Sequence, residues 1–285
     1  MAEALLETTQ TSEEPALPPP GESPDISHPI SEDGDIPGFL SPEDYPDVSH
    51  IVTEDDTPVD NFPSEKQQRL LTEPLYSSWT GPGQGRTFLV AANVGLYASL
   101  RQPLLVPDVF LSLDVQIAED WWSKHKRTYF FWEFGKPPEV VIEVVSNQVG
   151  NETGRKMEGY ARMGVAYYAI FDPMEQVQEG VLRVYALDPG PRFYREIDPL
   201  VLPGVGLGLT VWRGAYEGRG DVWVRWMDAK RVLIPTGAER AEQERQRAEQ
   251  EHQRAEKEQR RAERLAAQLR ALGIEPETGN GDATV

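Results

Sequence analysis

Short apolar segments separated by polar turns occupy the middle of the chain and predict a sheet. The clearest are LLVPDVFLSLDV, EVVIEVVS and VAYYAIFDP, which are rich in β-branched and aromatic residues. A helix is predicted from Ser64 onward, with apolar positions such as Leu70 and Leu75 and an interruption near Pro74. Another helix is predicted around residues 155–163, and GVLRVYALD, RFYREI and LTVWRGAYEG predict further, antiparallel strands. This order predicts an α/β fold with a mixed sheet flanked by helices.

The C-terminal segment 237–272 has a different pattern, in which Ala-Glu recurs every seven residues among Arg, Gln and Glu. Its dense Glu/Arg pairs four residues apart predict a long C-terminal helix. A stripe of alanine buries little apolar area, and the other core position carries Arg245, His252 and Gln259. Homodimerisation through a weak coiled coil and a solvated single helix therefore both stay open. We expect residues 273–285 to be a disordered tail.

The first 60 residues change the meaning of the net charge of −19. Residues 1–60 hold 16 of the 47 acids, none of the 28 basic residues and many prolines. Low hydrophobicity combined with charge of one sign favours disorder, so we predict a disordered acidic tail before a folded domain at 61–236. The rest of the chain is nearly neutral, with 31 acids against 28 bases.

Several classes of protein are excluded by composition. The chain has no cysteine, which rules out disulfides and thiolate zinc sites. It contains no run of about 18 apolar residues that could span a bilayer. Its N-terminus has acids and no lysine or arginine, unlike a secretory signal. We therefore expect a cytoplasmic protein without a membrane partner.

Two acids interrupt the apolar strands and suggest a site. Asp108 follows Pro107, Glu143 stands within VVIEVVS, and Lys156 follows thirteen residues later. Burying an unpaired carboxylate costs several kcal/mol. A salt bridge or a strand-end position would explain either acid alone. Carboxylates on neighbouring strands can instead bind a hard cation such as Mg²⁺, with a nearby ammonium assisting phosphodiester hydrolysis.

Three motifs together carry a family resemblance. VPDVFLSL, PPEVVIEVVS and GRKMEGYARMGVAYYAIFDP occur in this order and resemble the Uma2 family, which has the restriction-endonuclease-like PD-(D/E)XK fold. The similarity runs from about Ser64 to Arg231. It implies a mixed sheet of the nuclease type and, as function, a metal-dependent endonuclease acting on DNA.

The resemblance also assigns roles to individual residues. It implies that Asp108 and Glu143 are metal ligands, for Mg²⁺ or Mn²⁺, and that Lys156 completes the catalytic set. The standard nuclease motif has its lysine two residues after the acid, where this chain has Val145. In the Uma2 pattern the lysine lies on the following helix, and Lys156 is the matching residue.

Four further residues are supporting candidates, each with a structural alternative. Tyr160 shares a helix face with the lysine and could also close the core, while Ser146 could hold a site water or end the strand. Glu65 or Glu73 could bring an acid from the first helix, or both could be ordinary exposed acids.

Basic residues give a last set of candidates for nucleic-acid contact. They bind phosphates beside the stacking aromatics Trp121, Trp122 and Tyr129, or they have structural roles. In the structural alternative, residues 124–127 form a solvated loop with those aromatics packed on the core, and Arg155 and Arg162 pair with Glu152 and Glu158 at the surface. A non-catalytic binding or scaffolding protein, acting through its acidic tail and C-terminal helix, is the alternative function. The candidates are Lys124, His125, Lys126, Arg127, Arg155 and Arg162.

Overall fold

The computed structural model describes residues 61–83, 85–100, 102–146, 151–188, 190–273 and 275. The acidic tail predicted at 1–60 lies outside the described residues, as does most of the tail predicted at 273–285. Four helices and ten strands occur in the described part. They are α1 (Phe62–Ser78), β1 (Phe88–Ala92), β2 (Leu96–Tyr97), β3 (Val109–Leu113), β4 (Tyr129–Phe130), α2 (Phe131–Phe134), β5 (Val140–Val144), α3 (Met157–Met163), β6 (Tyr167–Phe171), β7 (Leu182–Asp188), β8 (Phe193–Ile197), β9 (Leu207–Tyr216), β10 (Arg219–Asp228) and α4 (Gly237–Ala271).

A six-stranded mixed sheet forms the centre, in the order β1-β3-β5-β6-β7-β8. Only β5 and β6 are parallel among its pairs, and the segment that connects them contains α3. A parallel pair needs such a crossover, whereas the antiparallel pairs can follow one another through short turns. The predicted α/β class with a mixed sheet and flanking helices is thus confirmed.

Alternating side chains divide the core into two layers, one on each face of the sheet. On the first face, Leu71 and Leu75 of α1 pack with Val109 of β3 and with Trp226 of β10. On the second face, α3 packs on the sheet through Tyr160, next to residues such as Phe110 of β3, Val141 of β5 and Tyr168 of β6. Full burial of each such side chain contributes about 1.5–3 kcal/mol, which fixes the facing of the strands.

The first helix departs from the prediction, because α1 continues through Pro74 without interruption. Its N-cap is Asn61, which accepts a hydrogen bond from the Ser64 amide at 3.0 Å, so Ser64 lies inside the helix. Leu70, Leu75 and Pro74 itself are buried, and this packing offsets the hydrogen bond that proline cannot donate.

Tyr76 of α1 covers the outer edge of the sheet. Its hydroxyl donates to the carbonyl of Val90 at 3.0 Å and accepts from the amide of Val90 at 3.1 Å. Val90 is the middle residue of β1, which is an edge strand.

The C-terminal helix α4 is anchored at its first turn and exposed beyond it. Thr236 and Glu239 form a capping box, and the Glu239 carboxylate also accepts hydrogen bonds from the buried Arg225 at 2.9 and 2.5 Å. Homodimerisation through the alanine stripe stays a prediction. In the part of the chain that is described, no helix has the length and apolar character to cross a membrane.

Candidate active site

Asp108 and Glu143 meet on the second face of the sheet, at neighbouring strands. Val109 of β3 pairs with Ile142 of β5, so the register brings the preceding Asp108 beside Glu143. The two carboxyl groups interact electrostatically, and Asp108 Oδ2 accepts a hydrogen bond from the Val144 amide at 2.7 Å. Strand register therefore sets the relative position of the two carboxylates.

The residue Gln68 of α1 holds the other oxygen of Asp108. Gln68 Nε2 donates to Asp108 Oδ1 at 2.9 Å, and Gln68 Oε1 accepts from Asn93 Nδ2 at 3.1 Å. Gln68 is buried although its side chain is polar, because these partners satisfy it. Gln68 is not among the residues predicted from the sequence, because the candidates on this helix were acids.

Two residues of the next helical segment contact Glu143, which is completely buried. Lys156 Nζ donates to Glu143 Oε2 at 2.8 Å, and the Tyr160 hydroxyl donates to Glu143 Oε1 at 2.7 Å. The four-residue spacing of Lys156 and Tyr160 places both on one helix face. Each carboxylate oxygen of Glu143 thus has a donor from this segment.

A π-type turn, Glu152–Lys156, precedes α3 and positions the lysine. Asn151 caps this turn by accepting from the Arg155 amide at 3.2 Å. Gly154 has φ −118° and ψ −105°, and a Cβ there would lie 2.2 Å from Asn151 Oδ1. A larger residue at this position would displace the Asn151 oxygen that caps the turn, so glycine favours the turn that carries Lys156 to Glu143.

Glu152 is a second site residue that was not predicted from the sequence. A surface pair with Arg155 was one of the two open interpretations, but Glu152 is buried, with Oε1 3.7 Å from Lys156 Nζ. Its Oε2 has no hydrogen-bond partner within the described residues. Lys156 consequently lies between two buried carboxylates, closer to Glu143.

Burial changes the protonation of this cluster. It raises the pKa of Glu143 to about 8, against the opposing attraction of Lys156. Burial also raises the pKa of Asp108, although the hydrogen bond from Val144 acts in the other direction. The pKa of Lys156 would fall on burial, but its interactions with Glu143 and other acids outweigh this and raise it. The cluster therefore favours a charged ammonium beside two carboxylates that share a proton.

A family model described as "Uma2: Putative restriction endonuclease" matches residues 45–211, more than half of the chain. The chain belongs to the Uma2 family. The match begins before the similarity that the motifs showed and ends within β9, and it includes Asp108, Glu143 and Lys156. Neither a search of curated proteins nor a search of solved structures found a match.

The supporting acids of α1 have other partners in this Uma2 protein. Glu65 pairs with Arg69 at 2.8 Å on an exposed part of the helix. Glu73 accepts from the amide of Gly237 at 2.9 Å, which ties α1 to α4. Gln68 is the residue through which α1 reaches Asp108. Ser146 is exposed just beyond β5 and lines a cavity with Val144 and Val145, near the start of α1.

The basic candidates of the Uma2 protein fall into two groups. Lys126 pairs with Asp120 at 2.6 Å, and Arg127 donates to the Trp122 carbonyl at 2.7 Å, so the segment 120–127 is internally connected. Lys124 begins the short 3₁₀ turn Lys124–Lys126, and the His125 side chain lies outside what is described. Arg162 pairs with Glu158 at 3.8 Å and is exposed, as is Arg155.

The donor set is suited to a hard cation. Within the residues described, no group of three or more His, Cys, Asp or Glu is arranged as a metal site. Asp108 and Glu143 provide two carboxylates, and Mg²⁺ sites commonly use one or two together with waters and substrate phosphates. Restriction-endonuclease-like families generally use divalent metals, and membership in the Uma2 family indicates nuclease activity.

Proposed function

We propose that this Uma2 protein is an endonuclease that hydrolyses phosphodiester bonds in DNA and depends on Mg²⁺ or Mn²⁺. One observation carries the proposal. Asp108 and Glu143 lie side by side on one face of the sheet. Lys156 belongs to a different element and donates a hydrogen bond to the carboxylate of Glu143. Two acids that can hold a divalent cation, with a lysine beside them, can supply the metal site and the positive charge used in phosphodiester hydrolysis.

Asp108 and Glu143 are the residues that would hold the metal. They fit because their carboxylates adjoin, and because Glu143 is buried with a raised proton affinity, which a divalent cation would relieve by replacing the proton. The bound cation supplies Lewis-acid polarisation of the phosphoryl oxygen and a water of lowered pKa.

Lys156 is proposed as the catalytic cation. Its side chain is 29% exposed, so the residue can contact Glu143 and also a bound phosphate. There it would orient the attacking water or oppose the negative charge that develops on the phosphoryl oxygens. Tyr160 of α3 donates a hydrogen bond to Glu143, and Gln68 of α1 donates one to Asp108. Their proposed role is to keep both carboxylates in place when the lysine moves.

The test is cleavage of supercoiled plasmid and of single-stranded DNA with Mg²⁺ or Mn²⁺. Wild type is compared with Glu143→Gln and Lys156→Ala. Glu196→Gln is the matched control, since Glu196 lies on the far edge strand β8, where it pairs with Arg183. We expect metal-dependent nicking that both site variants lose and the control keeps. Absent activity, or activity that neither variant changes, would support the non-catalytic binding protein instead.

A further inference from the structure

A cavity of about 410 Å³ lies beside the candidate active site. Phe110, Tyr129 and Phe134 form an aromatic cluster at its base, in which the Tyr129 and Phe134 rings stack at 4.2 Å and Phe110 meets Tyr129 edge-on at 5.1 Å; Phe110 and Tyr129 belong to the buried core, and Phe134 is half-buried. Trp121 and Trp122 also line the cavity and are 53% and 75% exposed. Large exposed indoles beside an apolar cavity indicate a binding surface.

The cavity lies on the same face of the sheet as the two carboxylates. Phe110 follows Asp108 by two residues, so the two side chains project to the same side about 7 Å apart along the strand. Ala91 of β1 pairs with Phe110 and also lines the cavity. Val94, another lining residue, follows Asn93, which is bonded to Gln68. The cavity thus begins one strand repeat from the site.

The rim of the cavity carries positive charge. Lys126 and Arg127 line it, and Lys124 adjoins them in the chain. Asp120 offsets part of this charge through its pair with Lys126. Cations at the mouth of an aromatic cavity complement the two parts of a nucleotide, an anionic phosphate and a flat apolar base.

We propose that this cavity binds the base of an unpaired nucleotide next to the scissile phosphate. The position relative to the cut rests on the proposed nuclease function, while binding of the base does not. A paired base is stacked inside its duplex and would have to be extruded to enter. The substrate is therefore single-stranded or locally unpaired nucleic acid. Most lining side chains are apolar, so the base is held by stacking, with little preference for its identity.

The test measures binding separately from cleavage. A fluorescein-labelled oligothymidylate is titrated with protein in chelator at low salt, and its anisotropy is compared with that of an abasic strand of equal length. We expect the base-containing strand to bind about tenfold more tightly, as stacking on one base predicts. The same sequence as a duplex should bind more weakly than the single strand.

Variants locate this binding on the protein. Trp121→Ala combined with Trp122→Ala should remove the difference between the two strands, and the exposure of both residues makes a folding defect unexpected. Phe193→Ala is the matched control, because Phe193 is an exposed aromatic on the opposite edge strand β8. The control should keep the difference in full.

Two results would overturn the inference. One is equal affinity of wild type for abasic and base-containing strands. The other is a base-dependent difference that survives in the double tryptophan variant. Cleavage of the same strands with Mn²⁺ is scored independently. Base-dependent binding without cleavage by wild type would refute the nuclease function and leave the base site. Cleavage without base-dependent binding would refute the base site alone.

Discussion

The ammonium of Lys156 lies 2.8 Å from the carboxylate of Glu143, thirteen residues away in the chain. The lysine stands on a helical segment and the acid on a buried strand, so packing of that segment on the sheet creates the pair. The cation can therefore move relative to the acids without any change in strand register. This separation leads to distinct predictions for the strand residues and the helix residues.

Replacing Lys156 with methionine should lower the rate of DNA cleavage by about 10²- to 10³-fold, the usual effect of losing one group that stabilises the transition state. Methionine keeps the length of the side chain and removes its charge. The measurement is single-turnover cleavage with Mn²⁺. Lys136→Met is the control, because Lys136 pairs with Glu139 away from this cluster. Equal rates for the two variants would contradict the role of Lys156.

Metal-free protein should lose stability as the pH rises through the range set by Glu143. The folded pKa of about 8 exceeds the ordinary value of 4.5, so the folded state binds the extra proton between these values. This contribution is fully present below about pH 4.5 and is lost as the pH passes 8, with a slope of up to about 1.4 kcal/mol per pH unit. Urea unfolding in chelator at a series of pH values measures it. Glu143→Gln should flatten that part of the profile, and an unchanged slope would refute the assignment.

Tyr160→Phe should lower the stability of the protein and change its affinity for Mn²⁺, with little change in packing. It removes the hydrogen bond to Glu143 Oε1 and leaves a buried carboxylate oxygen unsatisfied, which costs about 1–3 kcal/mol. Tyr194→Phe provides the comparison, because its hydroxyl donates to the Val165 carbonyl at 2.9 Å in the same layer of the core. Both variants should lose stability, and only Tyr160→Phe should also change the affinity for Mn²⁺ in calorimetry. If Tyr194→Phe changed the Mn²⁺ affinity as much as Tyr160→Phe does, the specific role of Tyr160 at the metal site would be refuted.

Replacing each of the neighbouring residues Gln67 and Gln68 should affect a different property, stability for Gln67 and metal affinity for Gln68. Gln67 bonds the amide and the carbonyl of Val224 at 2.9 and 2.8 Å, so Gln67→Ala should lower the free energy of unfolding by about 2 kcal/mol. Gln68 instead supports Asp108, and Gln68→Ala should lower Mn²⁺ affinity by about tenfold or more. Thermal unfolding and calorimetry on both variants check this. The proposal fails for Gln68 if the two variants have the same metal affinity.

Strand patterns and motif order were sufficient to predict the mixed sheet and to single out Asp108 and Glu143. Alternation sets the side of the sheet that each residue faces, and the pairing of β3 with β5 brings the two together. Helical spacing was likewise sufficient to link Tyr160 with Lys156. These relationships are local or follow from the repeat of one element.

Three features could not be predicted from local patterns: the contact of Gln68 with Asp108, the burial of Glu152 and the continuation of the helix through Pro74. Gln68 reaches Asp108 across forty residues of sequence because α1 packs along β1, and no periodicity encodes that contact. Glu152 is buried by the π-type turn, which depends on Gly154. Pro74 stays helical because the core holds its neighbours. In each case tertiary packing overrides the local preference.

Tyr76 has a consequence for association between copies of this protein. The main-chain groups of an edge strand are a template on which a foreign strand can add, and β1 offers that template along one side of the sheet. Tyr76 occupies both groups at the strand's midpoint, Val90. An incoming strand must first break both of these hydrogen bonds. Fibril-like growth from this side is thereby disfavoured relative to self-association through other surfaces.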